Sequence, residues 1–499
     1  MRGRFWLHAL IVVIWFGYAW LASAGFLYDW PTYGWFHDHQ ADAFRHGTLS
    51  LPIQPAPELV RARNPYDPVN MRYWVLDASY YEGKYYAYWG PVPALLLAAA
   101  KSVLGIDRVV GDQYVQFFHL CLGVACGALL IERIARRLFR GTPRWLVALG
   151  ILAFAAANPT LHTVASPSTY HTAIAAAQTW LIAGLLVAFD AVWKAETSAA
   201  RSFLLALAGT LWALSLASRV TVAPAIALFI VLTAWAVGFA APARRWVRFV
   251  TSGLALGMPV ALVGCALLVY NKLRFDSYLE FGTNLQLAAF PLFQVSKDYF
   301  LPNLYSYLFR TFDTSCRFPY VFQIWRDDAA FPVGTILPKG YMVLEPVVGW
   351  FWSIPLTWLI PFAFLFVPRP LGANPRLVRA SVWALGSFAA LATVTGIVGM
   401  GVYGTTMRYM QDVSNGIVFL ALMGSYALRT HRLVERYAPR AASFVILLLS
   451  AATIFFGFAL GYHGYNGHVQ RFNPELDAKL VKALSVCGTE APKPLRYLP

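Results

Sequence analysis

The chain has 499 residues, of which 58% are hydrophobic, 16% aromatic and only 13% charged. A soluble domain carries about 25% charged residues, so this composition excludes an ordinary soluble protein and makes lipid the second solvent. The formal charge of +16 would suit a nucleic-acid surface, but Lys and Arg also collect in the cytoplasmic loops of membrane proteins, so their positions decide.

The first apolar run, Phe5 to Gly25, follows Arg2 and Arg4 and matches the roughly 20 residues that a spanning helix needs. Its end, Ala22-Ser23-Ala24, resembles a signal-peptidase site. The run exceeds the apolar core of about 7–15 residues usual for a signal peptide, so a retained helix is expected. Further apolar runs occupy about 114–131, 145–158, 171–193, 202–217, 221–240, 248–270, 347–367, 380–400, 413–428 and 441–460. The stretch Tyr85 to Gly105 is read as an interfacial helix instead. Its prolines, Pro91 and Pro93, and the aromatic row Tyr81, Tyr85, Tyr86, Tyr88 and Trp89 suit the headgroup layer. A span there would also carry the basic segment 132–140 to the wrong side.

The expected fold class is an all-α polytopic membrane protein with eleven spanning helices, N-terminus cytoplasmic and C-terminus periplasmic. The first span covers 1–25, a large outer loop 26–113, spans two to seven 114–270, a second large outer loop 271–346, spans eight to eleven 347–460 and an outer tail 461–499. On this topology 19 of the 40 Lys and Arg lie inside, facing only Glu132, Asp190, Glu196 and Glu435. The inside then carries +15 and the outside +1. The charge records orientation, and no nucleic-acid partner is expected.

No internal repeat of fixed period is visible, which weakens an inverted-repeat transporter. No Walker, G-x-S-x-G or H-E-x-x-H motif occurs, so ATP-driven transport and the familiar hydrolases lack support. Five cysteines form no C-x-x-C pair. Cys121, Cys126 and Cys265 lie in apolar runs, whereas Cys316 and Cys487 lie in polar segments. Those two can pair only if both face an oxidising compartment.

The first outer loop opens with Gly34-Trp35-Phe36-His37-Asp38-His39-Gln40-Ala41-Asp42 and reaches Gly47, a natural helix stop. On such a helix Asp38 and Asp42, four apart, share a face. They are candidates for a general base or a metal ligand, set against routine acids on a solvated helix. His37 and His39, two apart, diverge on a helix and make poor joint ligands. Lys84, just before the interfacial stretch, is placed to meet a lipid phosphate or simply to snorkel, and Tyr85 and Tyr86 beside it to stack on a sugar. Arg408 is a lone arginine at the outer end of an apolar helix, costly unless used or snorkelling to headgroups. Tyr170 and His171 start the fourth span and His162 ends the third, where an interfacial histidine is otherwise simply solvated. Asp327-Asp328 is a cation-binding pair or a solvated loop pair.

This arrangement resembles the GT-C membrane glycosyltransferases, closest to the protein O-mannosyltransferase and lipid A aminoarabinose transferase branch, with an uncharacterised bacterial group nearby. The matching residues are Asp38, Ala43 and Gly47 in the first loop, Lys84-Tyr85-Tyr86 with Pro91, Ala135-Arg136-Arg137-Leu138-Phe139, and Arg408-Tyr409. Tyr270 to Ser277 and Glu280-Phe281-Gly282 resemble a segment of the bacterial group. The second acid usual in the family's first loop is His39 here, which leaves a divalent metal as an open option and no other cofactor.

The resemblance implies a glycosyltransferase of the bacterial inner membrane, acting on the periplasmic face. A sugar would pass with inversion from a polyprenyl-phosphate donor to a hydroxyl of an envelope glycan, lipid or protein. Asp38 would be the base and Asp42 its helper. Lys84, Arg408, Arg274 and Arg219 would meet the donor phosphate, and Tyr85, Tyr86, Tyr170, His171, Tyr409 and Glu280 would line the substrate cavity. The competing classes are a transporter or flippase of lipid-linked saccharides, which would want ionic groups at mid-membrane, and an O-antigen polymerase or ligase.

Overall fold

A bilayer demands that each backbone polar group be satisfied within the protein, which a helix achieves alone. The computed structural model describes residues 5–193, 198–240, 244–288, 295–324, 331–332, 334–343, 345–366, 374–464 and 467–487. Arg2, Arg4 and the Asp327-Asp328 pair lie outside them. Helix α1 (Phe5–Ala22) leads into the first large loop, which holds α2 (Phe36–Arg45), the strands β1 (Ser79–Tyr81) and β2 (Lys84–Tyr86), and α3 (Val92–Leu104). Six longer helices follow, with the short helical turn Thr160–Val164 between the second and third: α4 (Asp112–Leu138), α5 (Arg144–Ala156), α6 (Thr169–Trp193), α7 (Ser198–Ser218), α8 (Ala223–Gly238) and α9 (Arg245–Phe275). The second large loop adds α10 (Phe300–Phe309), β3 (Phe312–Thr314), β4 (Val321–Gln323) and β5 (Met342–Val343). The chain ends through a broken segment closed by α11 (Ile360–Phe366), then α12 (Pro375–Thr393), β6 (Gly404–Thr405), α13 (Met407–Thr430), α14 (Pro439–His463) and α15 (Pro474–Leu484).

Among the described residues eight helices are long and apolar enough to cross a membrane, and the chain is a multi-pass membrane protein. Helices also stand at the three other expected positions. One, α5, has only 13 residues, 350–366 is broken into short pieces, and α13 carries Arg408, Asp412 and Arg429. Along α9, Val250, Leu254, Met258 and Leu262 recur at four-residue spacing and are each more than half exposed, an apolar stripe suited to lipid. The interior is built by α4 on α6, α6 on α7, α7 on α9, and α12 and α11 on α13.

The helical fold class holds: the described residues are mostly helical, with three two-stranded ribbons among them, β1-β2 and β3-β4 antiparallel and β5-β6 parallel. One boundary needs correction. The helix expected at the interface begins at Val92, not Tyr85, because Glu82 and Gly83 both take positive φ (48° and 75°) and close a tight hairpin pairing Tyr81 with Lys84. Aromatic residues favour the strands on either side. Helix α3 then starts with proline in its first turn and stops at left-handed Gly105 (φ 64°). Its 13 residues reach about 20 Å, short of the roughly 30 Å hydrocarbon core.

Gly90 joins hairpin to helix at a close approach. A Cβ there would stand 2.1 Å from the Ala217 carbonyl oxygen, so glycine lets this loop seat on the end of α7. Cys316 and Cys487 form a disulfide, with Cα atoms 5.4 Å apart, tying the second large loop to the tail.

Candidate active site

Helix α2 packs on α3 through Ala41 against Ala94, Leu97 and Ala98, which aims its acidic face at the last turn of α3. Lys101 of that turn, fully buried, stands 2.8 Å from Asp38 Oδ1 and 2.9 Å from Asp42 Oδ1. Burial works against the lysine charge, but the hydrogen bonds to Asp38 and Asp42 outweigh it and hold its pKa above the ordinary value. Asp38 Oδ1 also accepts from the Val110 amide at 3.0 Å. Asp38 is itself fully buried, and its Oδ2 has no hydrogen-bond partner among the described residues. One oxygen is thus anchored twice and the other left for a donor.

The neighbouring residue is held just as firmly. His37 Nδ1 lies 2.9 Å from Asp112 Oδ1, and Asp112 Oδ2 accepts from the Thr169 hydroxyl. All three are buried. Asp112 is the first residue of α4, where a carboxylate complements the helix dipole. His37 Nε2 has no hydrogen-bond partner among the described residues.

Trp89 connects this edge to the ends of the long helices. Its ring lies 6.4 Å from His37, 4.3 Å from Tyr88 and 5.2 Å from Tyr170, centroid to centroid. Arg408 then lies over Tyr170, 4.2 Å from the ring centre. Thr406 caps α13 by accepting from the Tyr409 amide at 3.3 Å, fixing Arg408 in the first turn. The guanidinium is balanced by Glu345, Nε to Oε1 2.9 Å. The Tyr170 hydroxyl donates to Asp77 at 2.8 Å, and Gln286 bridges the two. Arg219, just past α7, pairs with Asp412 one turn beyond Arg408, at 2.8 Å. His171, buried, donates from Nδ1 to the Ser166 carbonyl at 2.6 Å, with the Ser168 hydroxyl 2.9 Å from the same nitrogen, and its ring centre lies 6.2 Å from that of His162.

The structure therefore gathers Tyr170, His171, Arg219, Arg408 and Tyr409 into one polar layer, in which His171 is buried and the other four are half-buried, with Asp38 and Asp42 beyond Trp89. It seats the other candidates elsewhere. Lys84 is exposed in the hairpin. Tyr85 is buried with its hydroxyl toward the Tyr73 carbonyl, 3.4 Å, and Tyr86 packs on Phe275. Arg274 donates to the Ala87 carbonyl at 2.6 Å and to Asn271 at 2.8 Å, between the rings of Tyr270 and Phe275. Glu280 accepts from the Gly282 amide at 2.6 Å and from Asn284 at 2.8 Å, holding a turn.

Lys101, Asp112, Glu345 and Asp412 escape the sequence reading. Only Asp412 carries a local signal, an acid four residues after Arg408 on one helix. Among the described residues no three His, Cys, Asp or Glu side chains are placed to hold a metal ion. The Asp38-Asp42 pair does not fit a metal centre, since Lys101 takes the position between the carboxylates.

No family model and no curated protein matches the chain. Solved structures are similar at low identity. The archaeal oligosaccharyltransferase AglB from Archaeoglobus fulgidus, in complex with an inhibitory peptide and a dolichol-phosphate, matches over 92% of this chain and 55% of its own, at 12% identity and a TM-score of 0.43. The apo oligosaccharyltransferase of that organism matches over 92% and 56%, at 13% identity and 0.45. ArnT from Cupriavidus metallidurans, bound to undecaprenyl phosphate, matches over 96% and 80%, at 11% identity and 0.48. The chain spans little more than half the length of the oligosaccharyltransferases.

Proposed function

We propose that this chain is a membrane glycosyltransferase that moves a sugar from a polyprenyl-phosphate donor to a hydroxyl acceptor. The observation that carries the reading is a fully buried Asp38 with one oxygen unpartnered among the described residues, linked through the rings of His37, Trp89 and Tyr170 to the half-buried Arg408. The acceptor hydroxyl gives its proton to Asp38 Oδ2 as its oxygen attacks the anomeric carbon. The bond from that carbon to the phosphate oxygen breaks with inversion, and the lipid phosphate leaves with the electron pair. An arginine carries five N–H donors, so Arg408 and Arg219 keep donors for the phosphate beyond their carboxylate pairs. Preorganised cations are worth most where charge develops away from water. Glu345 and Asp412 hold both guanidiniums in place between turnovers.

The polar layer lies at the helix ends and against the large loops, which supports chemistry on the outer, periplasmic face of an inner membrane. The disulfide between loop and tail supports the same side, since disulfides persist in oxidising compartments. Purified protein given a polyprenyl-phosphate sugar and a hydroxyl acceptor tests the proposal. Release of the lipid phosphate with glycosylated product is expected. If the donor is never consumed but crosses liposome membranes only when the protein is present, the chain is a flippase instead.

A further inference from the structure

A cavity of about 220 Å³ with a basic rim lies far along α4 from Asp112, where α1, α4 and α5 begin or end. Its lining includes Trp6, Glu132, Arg136, Arg140, Arg144 and Val147. Glu132 pairs with Arg136, which removes one charge of each sign. Arg140 and Arg144 remain, exposed and with no ion pair among the described residues. The Trp6 indole nitrogen is buried with no hydrogen-bond acceptor among the described residues. Glu435 stands near Gly141 of the same lining, so three arginines face two carboxylates; the net positive lining and a buried N–H donor select an anion with several acceptor oxygens. The volume is below the roughly 300–1,000 Å³ of pockets for drug-sized ligands, which excludes a nucleotide and leaves a phosphate group with a small substituent. Trp145, beside Arg144 and about half exposed, sits at headgroup depth if this loop borders the membrane.

We propose that this cavity binds a phosphate group, supplied by the headgroup of an anionic lipid in the leaflet that the basic loop 139–144 faces. Basic pockets between helices on the cytoplasmic side are suited to such headgroups. The site is separate from the sugar-transfer chemistry and uses none of its residues.

Native mass spectrometry of the full-length protein with short-chain phosphatidylglycerol, phosphatidylcholine or inorganic phosphate tests it. One phosphatidylglycerol per chain is expected, held at least about tenfold more tightly than phosphatidylcholine. Arg140→Gln with Arg144→Gln should abolish that preference, Trp6→Phe should weaken it, and Arg61→Gln on the first loop should leave it intact. Inorganic phosphate binding in place of the lipid would keep the phosphate site and make the free ion its occupant. Equal retention of both lipids with no phosphate binding, or an unchanged preference in the double arginine variant, would overturn the proposal. Because both arginines are exposed, the variant should unfold at the wild-type temperature and turn over donor normally, so this result stands apart from the fate of the transferase reading.

Discussion

Arg408 lies 4.2 Å from the ring centre of Tyr170 and 2.9 Å from Glu345, so one cation is held by an aromatic face and a carboxylate at once. Arg408→Gln should lower sugar-transfer turnover by about 10²–10³-fold, the usual cost of removing a group that stabilises developing charge. Arg408→Lys should fall between, because an ammonium keeps the charge but loses the planar stack and the extra donors. Steady-state kinetics of the two variants checks the order.

Lys101 balances two acids in a dry position. Lys101→Met should destabilise the protein by about 3–5 kcal/mol, since it strands the Asp38 charge, and Asp38→Asn in the same chain should recover part of the loss. The lysine pKa is raised in the folded state. Its contribution is therefore whole below the ordinary value of about 10.4 and fades as pH rises through the higher folded value. Thermal unfolding in detergent should fall at that alkaline end for wild type, with no matching step in Lys101→Met.

Much of this arrangement was legible in the chain because it is local. The four-residue spacing of Asp38 and Asp42 put both on one face, and their shared contact with Lys101 is that face realised. Gly47 marked the stop after α2, which ends at Arg45. Arg408 stood out because an arginine at the end of an apolar helix needs a use. The partners were not legible, because each comes from a distant segment: Lys101 lies 63 residues from Asp38 and Asp412 lies 193 from Arg219. In the sequence Lys101 looks like a snorkelling lysine on an apolar helix. Lys84 attracted notice for its aromatic neighbours, yet the positive φ of Glu82 and Gly83 turns that segment into a hairpin.

Gly90→Ala should disturb the aromatic wedge as well as stability. Its Cβ would meet backbone oxygens of Ala217 and Ser218 at 2.1 and 2.5 Å, which cannot rotate away, so a loss of about 1–3 kcal/mol is expected. Gly83→Ala meets nothing within 4 Å and should cost only the roughly 1–2 kcal/mol of a left-handed backbone. Tryptophan fluorescence, which reports Trp89 among others, should shift in the first variant and not in the second.

The Cys316–Cys487 bond should keep loop and tail together after cleavage. A single protease cut between the two cysteines should leave one band on a non-reducing gel and two after reduction. Cys487→Ser should give two bands in both.

The most direct measurement is turnover of a purified polyprenyl-phosphate sugar by wild type, Asp38→Asn and Asp42→Asn, with each variant's unfolding temperature recorded alongside. If Asp38 Oδ2 takes the acceptor proton, Asp38→Asn falls by at least about 10²-fold while donor still binds, and Asp42→Asn keeps more of the rate. Equal turnover by a folded Asp38→Asn protein would contradict the account.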